Sequence, residues 1–386
     1  MIKRKFWLTS VTGAWEQKNI IWLSGVRRAG KTYLCRSIPG IKIYDCELPS
    51  ARAALESPET FLKTARSRII ALDEIHKLPN PSELLKIAAD YFPDILIIAT
   101  GSSSLSMSRK FSDTLTDRKT SLWLTPMTAS DLDDFGVENL DRRMLHGGLP
   151  PFWAAAEFSE KRYIRWMDDF WARDIQELFR VEKRYSFLKF AELVFARSGG
   201  IFEAASFTGP CEASRNTIMN YLCILEDTCA VSILRPFCGK SSAEITASPK
   251  VYGFDTGFVC AFRGIGSLRP DDRGFLWEHI VLNEMSALLQ SRRIKYWRNK
   301  QGHEIDFVLD RPGKPPVAIE CKYSEKEFSP RNFYVFSKLY ENAEYLAVCA
   351  DAGRPHVKTF RNLNVTFLNL ENLGGKIEKN NSVRMG

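Results

Sequence analysis

The chain of 386 residues contains 45% hydrophobic and 26% charged side chains, a balance typical of a globular protein with room for two or three domains. It has no run of about 18 apolar residues, so we expect no transmembrane helix, no membrane partner and a cytoplasmic location. Its nine cysteines form no C-x-x-C pair, which disfavours a zinc site, and its net charge of +8 permits attraction to an acidic polymer without requiring it.

The first motif is a glycine-bounded loop that joins a short apolar run to a segment of helical character. Residues 25–32, GVRRAGKT, match the pattern G-x-x-x-x-G-K-[ST] of a phosphate-binding loop. The backbone N–H groups of such a loop point at phosphate oxygens, Lys31 reaches the terminal phosphates, and the Thr32 hydroxyl binds Mg²⁺. We therefore predict that ATP contacts Gly25, Val26, Arg27, Arg28, Ala29, Gly30, Lys31, Thr32 and Tyr33.

Two later apolar runs end in polar residues, at the edge where parallel strands collect ligands. The run SRIIALDEIHKL contains Asp73, expected to hold Mg²⁺ directly or through water, and Glu74, expected to act as general base on the attacking water. The run PDILIIATGSSSLSM opens into a polar loop, where Ser102 or Ser103 is expected to contact the γ-phosphate or its water. Solvated acids and an ordinary turn are the alternative interpretations.

These apolar runs alternate with helical segments, which indicates a parallel α/β sheet over residues 1–130. Their order resembles the AAA-type branch of P-loop ATPases. Arg118 precedes a further predicted strand, and an arginine near this point of AAA-type proteins often acts on the γ-phosphate of a neighbouring subunit. We therefore expect a homo-oligomer, with a ring as one arrangement; alternatively, Arg118 is a surface cation.

The middle of the chain is predicted to form two units. Residues 131–185 are expected to be a helical lid or linker, with HGGLPPFW as its hinge. Residues 186–270 resemble a winged helix-turn-helix in the order of their predicted elements, with Ser214 as the N-cap of a helix. The start of such a helix enters the DNA major groove in some winged helices, whereas others bind protein or bridge domains. This helix is expected to bury Ile218, Tyr221, Leu222 and Leu225 and to expose Arg215, Asn216 and Asn220.

The last part of the chain, residues 271–386, combines a helix that carries Glu278 with two predicted strands. In EIDFVLD, alternation places Asp306 opposite a face formed by its apolar neighbours, Ile305, Phe307 and Leu309. In VAIECKY, Glu320 and Lys322 share one face. We predict that Asp306 and Glu320 together favour a divalent cation, beside which Lys322 orients water or stabilises developing charge.

An acid followed 14 residues later by E-x-K is similar to the pattern of PD-(D/E)xK nucleases, although a solvated hairpin face and a nuclease fold without catalysis are alternatives. Jointly, the segments resemble a bacterial and archaeal ATPase family that joins an AAA-type domain to a winged-helix segment and a restriction-endonuclease-like α/β domain. The matching pieces, in order, are GVRRAGKT, IIALDEIHKLP, ATGSSS, HGGLPPFW, WARDI, SPKVYGFDTG, GFLWEHIVLNE, WRNKQGHEIDFVL and AIECKYS.

The resemblance implies Mg²⁺-dependent ATP hydrolysis by Lys31, Thr32, Asp73 and Glu74. It also implies a candidate metal site of a nuclease at Glu278, Asp306, Glu320 and Lys322, with Glu278, Asp306 and Glu320 as ligands and with Asp306, Glu320 and Lys322 as catalytic residues. The family usually has Gly-Arg where this chain has Asp117-Arg118, so a catalytic role for Arg118 stays an open hypothesis. Three functions are compatible with these features. They are ATP-driven binding or remodelling of DNA such as junction migration, an ATP-gated DNA nuclease, and a nucleotide-switched interaction protein whose nuclease-like domain is inactive.

Overall fold

A computed structural model describes residues 2–101, 115–136, 139–179, 181–238, 248–291, 293–311 and 313–381. The chain folds around a five-stranded parallel sheet, a small three-stranded antiparallel sheet and a six-stranded mixed sheet. Helices separate and cover the three sheets. Within these ranges, no helix is both long enough and apolar enough to cross a lipid bilayer.

The first sheet is built from the apolar runs identified in the sequence, and its strand order is β2-β3-β4-β1-β5. Its strands are β1 (Ile20–Ser24), β2 (Lys42–Asp45), β3 (Ile69–Asp73), β4 (Leu96–Thr100) and β5 (Thr120–Trp123). Every neighbouring pair is parallel, so all carboxyl ends meet at one edge. The accompanying helices are α1 (Lys5–Gln17), α2 (Lys31–Arg36), α3 (Pro49–Ala54), α4 (Pro58–Thr64) and α5 (Pro81–Tyr91), with a 3-10 turn at Ile75–Lys77. The predicted parallel α/β fold is confirmed.

A helical region follows the first sheet. It consists of α6 (Ala129–Asp134), α7 (Leu140–His146), α8 (Pro150–Trp153), α9 (Glu160–Phe170), a π-helical turn (Trp171–Ile175) and α10 (Gln176–Phe179). The aromatic face of α9 is buried in the core, as its helical spacing predicts. Arg4 ties this region to the phosphate loop, because its guanidinium donates to both carboxylate oxygens of Asp131 and to the carbonyl of Ala29.

The glycine pair predicted as a hinge is packed from both sides. The N–H of Gly148 donates to the carboxylate of Asp255, and the carbonyl of Gly148 accepts from Met127. Gly147 has a φ of 76°, and a Cβ atom on it would lie 1.8 Å from a carboxylate oxygen of Asp255. Glycine is therefore required here because of close packing, and the segment is anchored to residues far along the chain.

The unit after residue 183 contains α11 (Arg184–Ala196), β6 (Gly200–Ile201), α12 (Ala205–Thr208), α13 (Arg215–Asp227), β7 (Val231–Leu234), β8 (Lys250–Gly253) and α14 (Thr256–Arg263). The three strands pair in the order β6-β8-β7. Ser214 caps α13 by accepting a hydrogen bond from the N–H of Thr217. The predicted buried and exposed faces of α13 are both confirmed.

The last unit begins with the 20-residue helix α15 (Pro270–Leu289). The strands are β9 (Ile294–Arg298), β10 (Glu304–Leu309), β11 (Val317–Lys322), β12 (Glu344–Cys349), β13 (His356–Phe360) and β14 (Leu363–Leu368), and the remaining helices are α16 (Arg331–Ser337) and α17 (Leu370–Asn381), with a 3-10 turn at Glu325–Glu327. The sheet order is β13-β14-β12-β11-β10-β9. The predicted strands β10 and β11 pair antiparallel, with Phe307 opposite Ile319.

One predicted face of β10 differs from the structure. Ile305, Phe307 and Leu309 were expected on a common face, but Ile305 packs with Val308 and Ala318 in a different part of the core. The pairing of β10 with β9 shifts register between Ile305 and Val308, and such an irregularity interrupts the strict alternation of side chains.

The far end of α15 holds the edge of the first sheet. Gln290, which follows the helix, accepts a hydrogen bond from the N–H of Trp123 in β5 (2.6 Å) and donates to its carbonyl (3.0 Å). Within the helix, Glu284 accepts from the N–H of Ala129 at the start of α6 (3.0 Å). Burial is the largest influence on Glu284 and raises its pKa to about 7.

Candidate functional site

The glycines of the phosphate loop adopt backbone conformations that other residues rarely occupy. Gly25 has a φ of 135°, and a Cβ atom on it would lie 2.4 Å from the carbonyl oxygen of Leu124. Gly30 has a φ of 101° and directly precedes α2. The Nζ atom of Lys31 donates to the carbonyls of Gly25 (2.8 Å) and Val26 (3.3 Å), so the lysine ammonium lies against the loop that it is predicted to serve.

The predicted Mg²⁺ ligands lie together at the carboxyl edge of the sheet. Thr32 Oγ1 donates to one carboxylate oxygen of Asp73 (2.8 Å), and Thr100 Oγ1 donates to the other. The backbone N–H of Glu74 also donates to Thr100 Oγ1 (3.3 Å). Glu74 itself has a φ of 51°, a left-handed conformation of a kind that clusters at functional sites. Its carboxylate lies 3.2 Å from the ring of His76.

A cavity of about 590 Å³ lies in front of the phosphate loop, in the size range of small-molecule sites. Six of the nine predicted ATP contacts in residues 25–33 line it, whereas Gly25, Val26 and Ala29 do not. The opposite wall includes Phe135, Pro150 and Pro151 from the helical region. The loop side of the cavity is rich in cations and also carries the predicted base: Arg27, Arg28, Lys31, Thr32, Arg36 and Glu74.

Two carboxylates of the helical region hold the arginines of the phosphate loop. Arg27 Nε donates to Asp174 (2.9 Å), which is nearly buried, and Arg28 donates to Asp169 (2.8 Å). The indole of Trp166 also donates to the carbonyl of Arg27 (3.3 Å). Asp169 and Asp174 are five residues apart, and the π-helical turn between them widens the helix there.

Arg118, predicted to act on a γ-phosphate, does not contribute to this cavity. Arg118 donates to Asp90 of α5 (2.7 Å) and does not line the cavity of its own chain. A role for Arg118 across a subunit boundary stays a prediction. Ser102 and Ser103 lie outside the described residues.

The C-terminal acids are brought together as the sequence predicts, in a cluster that we call the acidic cluster: Glu278, Glu304, Asp306 and Glu320, with the lysines Lys250 and Lys322. Asp306 accepts from the backbone N–H of Cys321 (2.7 Å). Glu320, only 2% exposed, accepts from Lys322 Nζ (3.0 Å) and from the side chain of Asn332 (3.2 Å). Two predicted residues therefore form an ion pair with each other.

Glu278 is held by residues that sequence reasoning did not single out. The hydroxyl of Tyr252 donates to Glu278 Oε1, and Lys250 Nζ lies 3.5 Å from the same oxygen. Lys250 also contacts Glu304 Oε1, while Arg298 lies 3.7 Å from the other oxygen of Glu304. Lys250 and Tyr252 belong to β8, which is part of the three-stranded sheet, so the acidic cluster spans two units of the fold.

The arrangement differs from the predicted three-carboxylate metal site. Within the part of the chain that the structure describes, no group of three or more His, Cys, Asp or Glu side chains is placed to hold one metal ion. The physical reason is that Glu278 faces Tyr252 and Lys250, and Glu320 faces Lys322 and Asn332. These carboxylates are directed at lysine ammonium groups and not at one common position that a metal ion could occupy.

Burial dominates the acid–base properties of this cluster. It raises the pKa of Asp306, with the Glu278 charge adding to the effect, and it raises the pKa of Glu320, with the Asp306 charge adding. For Lys250, burial alone would lower the pKa, but the charges of Glu278 and Glu304 outweigh it, so the pKa is raised. The ammonium form of Lys250 is therefore the form that the cluster stabilises.

The missed residues share one property, which is that their partners are distant in sequence. Thr100 lies 27 residues from Asp73, Asp174 lies 147 from Arg27, and Lys250 lies 28 from Glu278. The position of Thr100 at the end of an apolar strand beside Asp73 was a usable signal. A lysine two residues before a tyrosine in β8 carried no comparable signal.

Three family models match consecutive parts of the chain. An "AAA domain" model matches residues 17–132. Residues 17–132 form an AAA-type P-loop ATPase domain. Two models described as domains of unknown function, DUF8612 and DUF4143, match residues 137–269 and 273–368. The first match contains the phosphate loop, Asp73 and Glu74, which agrees with the geometry above.

Two curated proteins are similar over most of the chain. They are the uncharacterized proteins Mb2031c of Mycobacterium bovis and Rv2008c of Mycobacterium tuberculosis. Each is 29% identical over 330 residues, a match that covers 82% of this chain and 73% of the relative. The similarity therefore extends well beyond the AAA-type domain.

Solved structures show weaker likeness. The Walker-type ATPase PABY2304 of Pyrococcus abyssi has 15% identity and a TM-score of 0.45, and the match covers 68% of this chain and 96% of that chain. The McrB AAA+ hexamers of Thermococcus gammatolerans with bound McrC give 15% identity and a TM-score of 0.22, with 46% of each chain covered. Both TM-scores lie below 0.5, so neither likeness defines the fold of the whole chain.

Proposed function

We propose that the chain hydrolyses Mg²⁺-bound ATP at the phosphate loop and couples this cycle to DNA. The observation that carries the hydrolysis proposal is the 2.8 Å hydrogen bond between Thr32 Oγ1 and Asp73. It places a hydroxyl and a carboxylate side by side at the edge of the cavity that Lys31 and Glu74 line. Both are hard oxygen donors of the kind that Mg²⁺ prefers, and the phosphates and water supply its other ligands.

Each residue of this site has a role that follows from its position. Lys31 and the loop N–H groups bind the phosphates, and Arg27, Arg28 and Arg36 add positive charge around them. Thr32 and Asp73 would hold Mg²⁺, which screens the phosphate charge when bound. Glu74 accepts a proton from the attacking water, and Thr100 fixes the orientation of Asp73 and of the Glu74 backbone.

Steady-state ATP turnover with Mg²⁺ tests this mechanism. Glu74→Gln is expected to abolish turnover while nucleotide binding survives, because the amide cannot accept the proton. A variant that binds ATP and still turns it over at the normal rate would remove Glu74 from the mechanism. Lys63→Ala, on the exposed face of α4, is a control outside the site.

Coupling to DNA is supported by the middle unit and by charge. The order α11-β6-α12-α13-β7-β8 is compatible with a winged helix-turn-helix, in which α13 would be the recognition helix. Its first turn exposes Arg215 and Asn216, and Asn220 lies exposed one turn later. These side chains are suited to phosphates and base edges, and the net charge of +8 favours approach to DNA.

The test is ATP turnover at fixed low salt without DNA and with single-stranded, duplex and four-way-junction DNA, because phosphate contacts make binding strongly salt-dependent. We expect one DNA form to stimulate turnover. Arg215→Ala should reduce the stimulation, whereas Arg66→Ala, which removes an exposed arginine elsewhere, should not. A rate of ATP turnover that no DNA form changes would contradict the DNA proposal and favour a nucleotide-switched protein interaction.

The oligomer proposal rests on Arg118, which pairs with Asp90 and does not line the cavity of its own chain. In a homo-oligomer it would act on the neighbouring subunit. Mixing Arg118→Ala subunits with Lys31→Ala subunits should then restore part of the turnover, since some interfaces combine an intact Lys31 with an intact Arg118. A mixture as inactive as its components would contradict action across subunits.

For the C-terminal domain, the acidic cluster favours a role in nucleotide-switched interactions over an ATP-gated nuclease. The reason is that its carboxylates are already paired with lysines. We therefore propose no cleavage step there. Incubation of DNA with ATP and Mg²⁺ tests this choice. Cleavage that disappears in Glu320→Ala, Lys322→Ala and Asp306→Asn would establish the nuclease alternative instead.

A further inference from the structure

The acidic cluster contains its own cation. Lys250 is 5% exposed, and its Nζ atom lies between Glu278 of α15 and Glu304 of β10. The hydroxyl of Tyr252 lies 3.4 Å from the same Nζ and donates to Glu278. Lysine is almost never this buried unless its charge is matched, and here two carboxylates match it.

The position of Lys250 coincides with the point where two carboxylates from different elements converge. A divalent cation requires such a convergence, with oxygen atoms at about 2.0–2.6 Å from the ion. The Glu278 oxygen lies instead at 3.5 Å from Lys250 Nζ, which is within the distance of an ion pair but too long for a bond between a metal ion and oxygen. An ammonium nitrogen and a metal ion cannot occupy the same place.

The other carboxylates of the cluster are also served by the chain itself. Glu320 is paired with Lys322, Asp306 accepts a backbone N–H, and Glu304 has Arg298 nearby. Four carboxylates thus face three cationic side chains and a set of neutral donors. Little negative charge is left for an external ion to neutralise.

From this arrangement we infer that the ammonium group of Lys250 occupies the place in the acidic cluster that a divalent metal ion would take. With Lys250 present, the cluster excludes divalent metal ions. The ion pair between Lys250 and Glu304 also links the three-stranded sheet to the six-stranded sheet. Loss of the ammonium leaves the partly buried carboxylates of Glu278 and Glu304 without the cation that lies between them. Two such carboxylates, with Asp306 nearby, are a donor set that divalent cations bind.

The experiment measures Mn²⁺ binding by the full chain without nucleotide. All proteins carry Asp73→Asn, which removes the predicted Mg²⁺ ligand at the end of β3. The parent variant should bind no Mn²⁺ that depends on Asp306. Adding Lys250→Met should create one Mn²⁺ site with at least a tenfold gain in affinity, and further addition of Asp306→Asn should weaken it. The control is Lys295→Met, which removes a lysine of the neighbouring strand β9 that is paired with Asp310. This variant should create no Mn²⁺ site.

Thermal unfolding gives a second, independent readout on the same proteins. Lys250→Met should lower the unfolding temperature, and Mn²⁺ should recover part of that loss, whereas Mn²⁺ should not shift the Asp73→Asn parent. Tyr252→Phe keeps the ammonium and should therefore show no metal effect in either assay.

Two outcomes would overturn the inference. One is Mn²⁺ binding by the parent that Asp306→Asn removes, because the cluster would then hold a metal with Lys250 present; this test does not require the Lys250 variant to fold. The other is a folded Lys250→Met protein without gain in affinity. Neither outcome bears on ATP hydrolysis, because nucleotide is absent and Asp73 is already substituted.

Discussion

The molecule contains two places where buried strands present carboxylates, and it treats them in opposite ways. At the end of β3, Asp73 is surrounded by the hydroxyls of Thr32 and Thr100, which are neutral donors beside an open cavity. In the acidic cluster, Glu278 and Glu320 are each within reach of a lysine. Asp73 can therefore still bind an external cation, whereas the carboxylates of the acidic cluster are already paired with lysine side chains of the protein.

This contrast shows why acids on strands do not by themselves predict a metal site. Both regions have acids on apolar strands in the sequence, and in both the strands form. What differs is the charge of the side chains that tertiary structure brings to them. A neutral hydroxyl orients a carboxylate without neutralising it, while an ammonium group does both.

The largest expected effect is at the open site. Lys31→Ala should lower kcat for ATP hydrolysis roughly 10³-fold, since it removes a positive charge from the developing phosphate charge in a preorganised site. The measurement is steady-state turnover, with Lys63→Ala as the matched lysine control on exposed α4. A fall of less than tenfold would show that Lys31 is not aimed at the phosphates.

The next effect concerns stability in the neutralised cluster. Lys322→Met should destabilise the fold by about 3 kcal/mol, because Glu320 is left buried without its charged partner. Asp73→Asn should change stability by less than about 1 kcal/mol, since its partners are hydroxyls that an amide can still engage. Urea unfolding of the two variants compares the regions directly. Equal losses would contradict the contrast drawn between them.

A smaller effect is expected from the hydroxyl that orients Asp73. Thr100→Val should lower kcat roughly tenfold, because supporting donors around a metal ligand typically contribute that much. Thr100→Ser keeps the hydroxyl and should retain most activity, which separates the hydrogen bond from packing. Val and Ser variants with the same rate would assign Thr100 a purely structural position.

The smallest effect tests a buried carboxylate outside both regions, Glu284, which accepts a hydrogen bond from the N–H of Ala129. Its folded-state pKa of about 7 is above the ordinary value of 4.5, so the folded protein binds this proton more tightly than the unfolded chain. Its contribution to stability is therefore full below about pH 4.5 and is lost as the pH rises towards 7.

Glu284→Gln removes this titration and keeps an oxygen that can accept from Ala129. The unfolding temperature of the parent, relative to Glu284→Gln, should fall by a few degrees between pH 5 and pH 8. A constant difference across that range would show that Glu284 does not titrate there.

Local patterns predicted several elements of all parts of the chain well. The phosphate loop, the Asp-Glu strand, the Ser214 cap and the strands of Asp306 and Glu320 all follow from short stretches whose spacing matches one period of structure. Loop and strand motifs encode their own geometry, so the residues Lys31, Thr32 and Asp73 could be placed from the sequence.

The rest depended on contacts between distant segments. The pairing of Arg27 with Asp174 and of Glu278 with Lys250 exists because whole units pack against each other, and spacing along the chain does not encode it. The irregularity in β10 that moved Ile305 likewise arises from pairing with β9. Lys250, which belongs to another sheet, could not be predicted as a partner of Glu278, because alternation within one strand describes only that strand.

Helix α15 has a mechanical consequence. Glu278 and Gln290 are twelve residues apart, or about 18 Å along a helix of 1.5 Å rise per residue. Glu278, near the middle of the helix, belongs to the acidic cluster, and Gln290, directly after the helix, forms hydrogen bonds with both backbone polar groups of Trp123 in β5. A helix transmits displacement along its axis with little compression. Any shift of β5 must therefore move the helix along its axis or break the hydrogen bonds between Gln290 and Trp123.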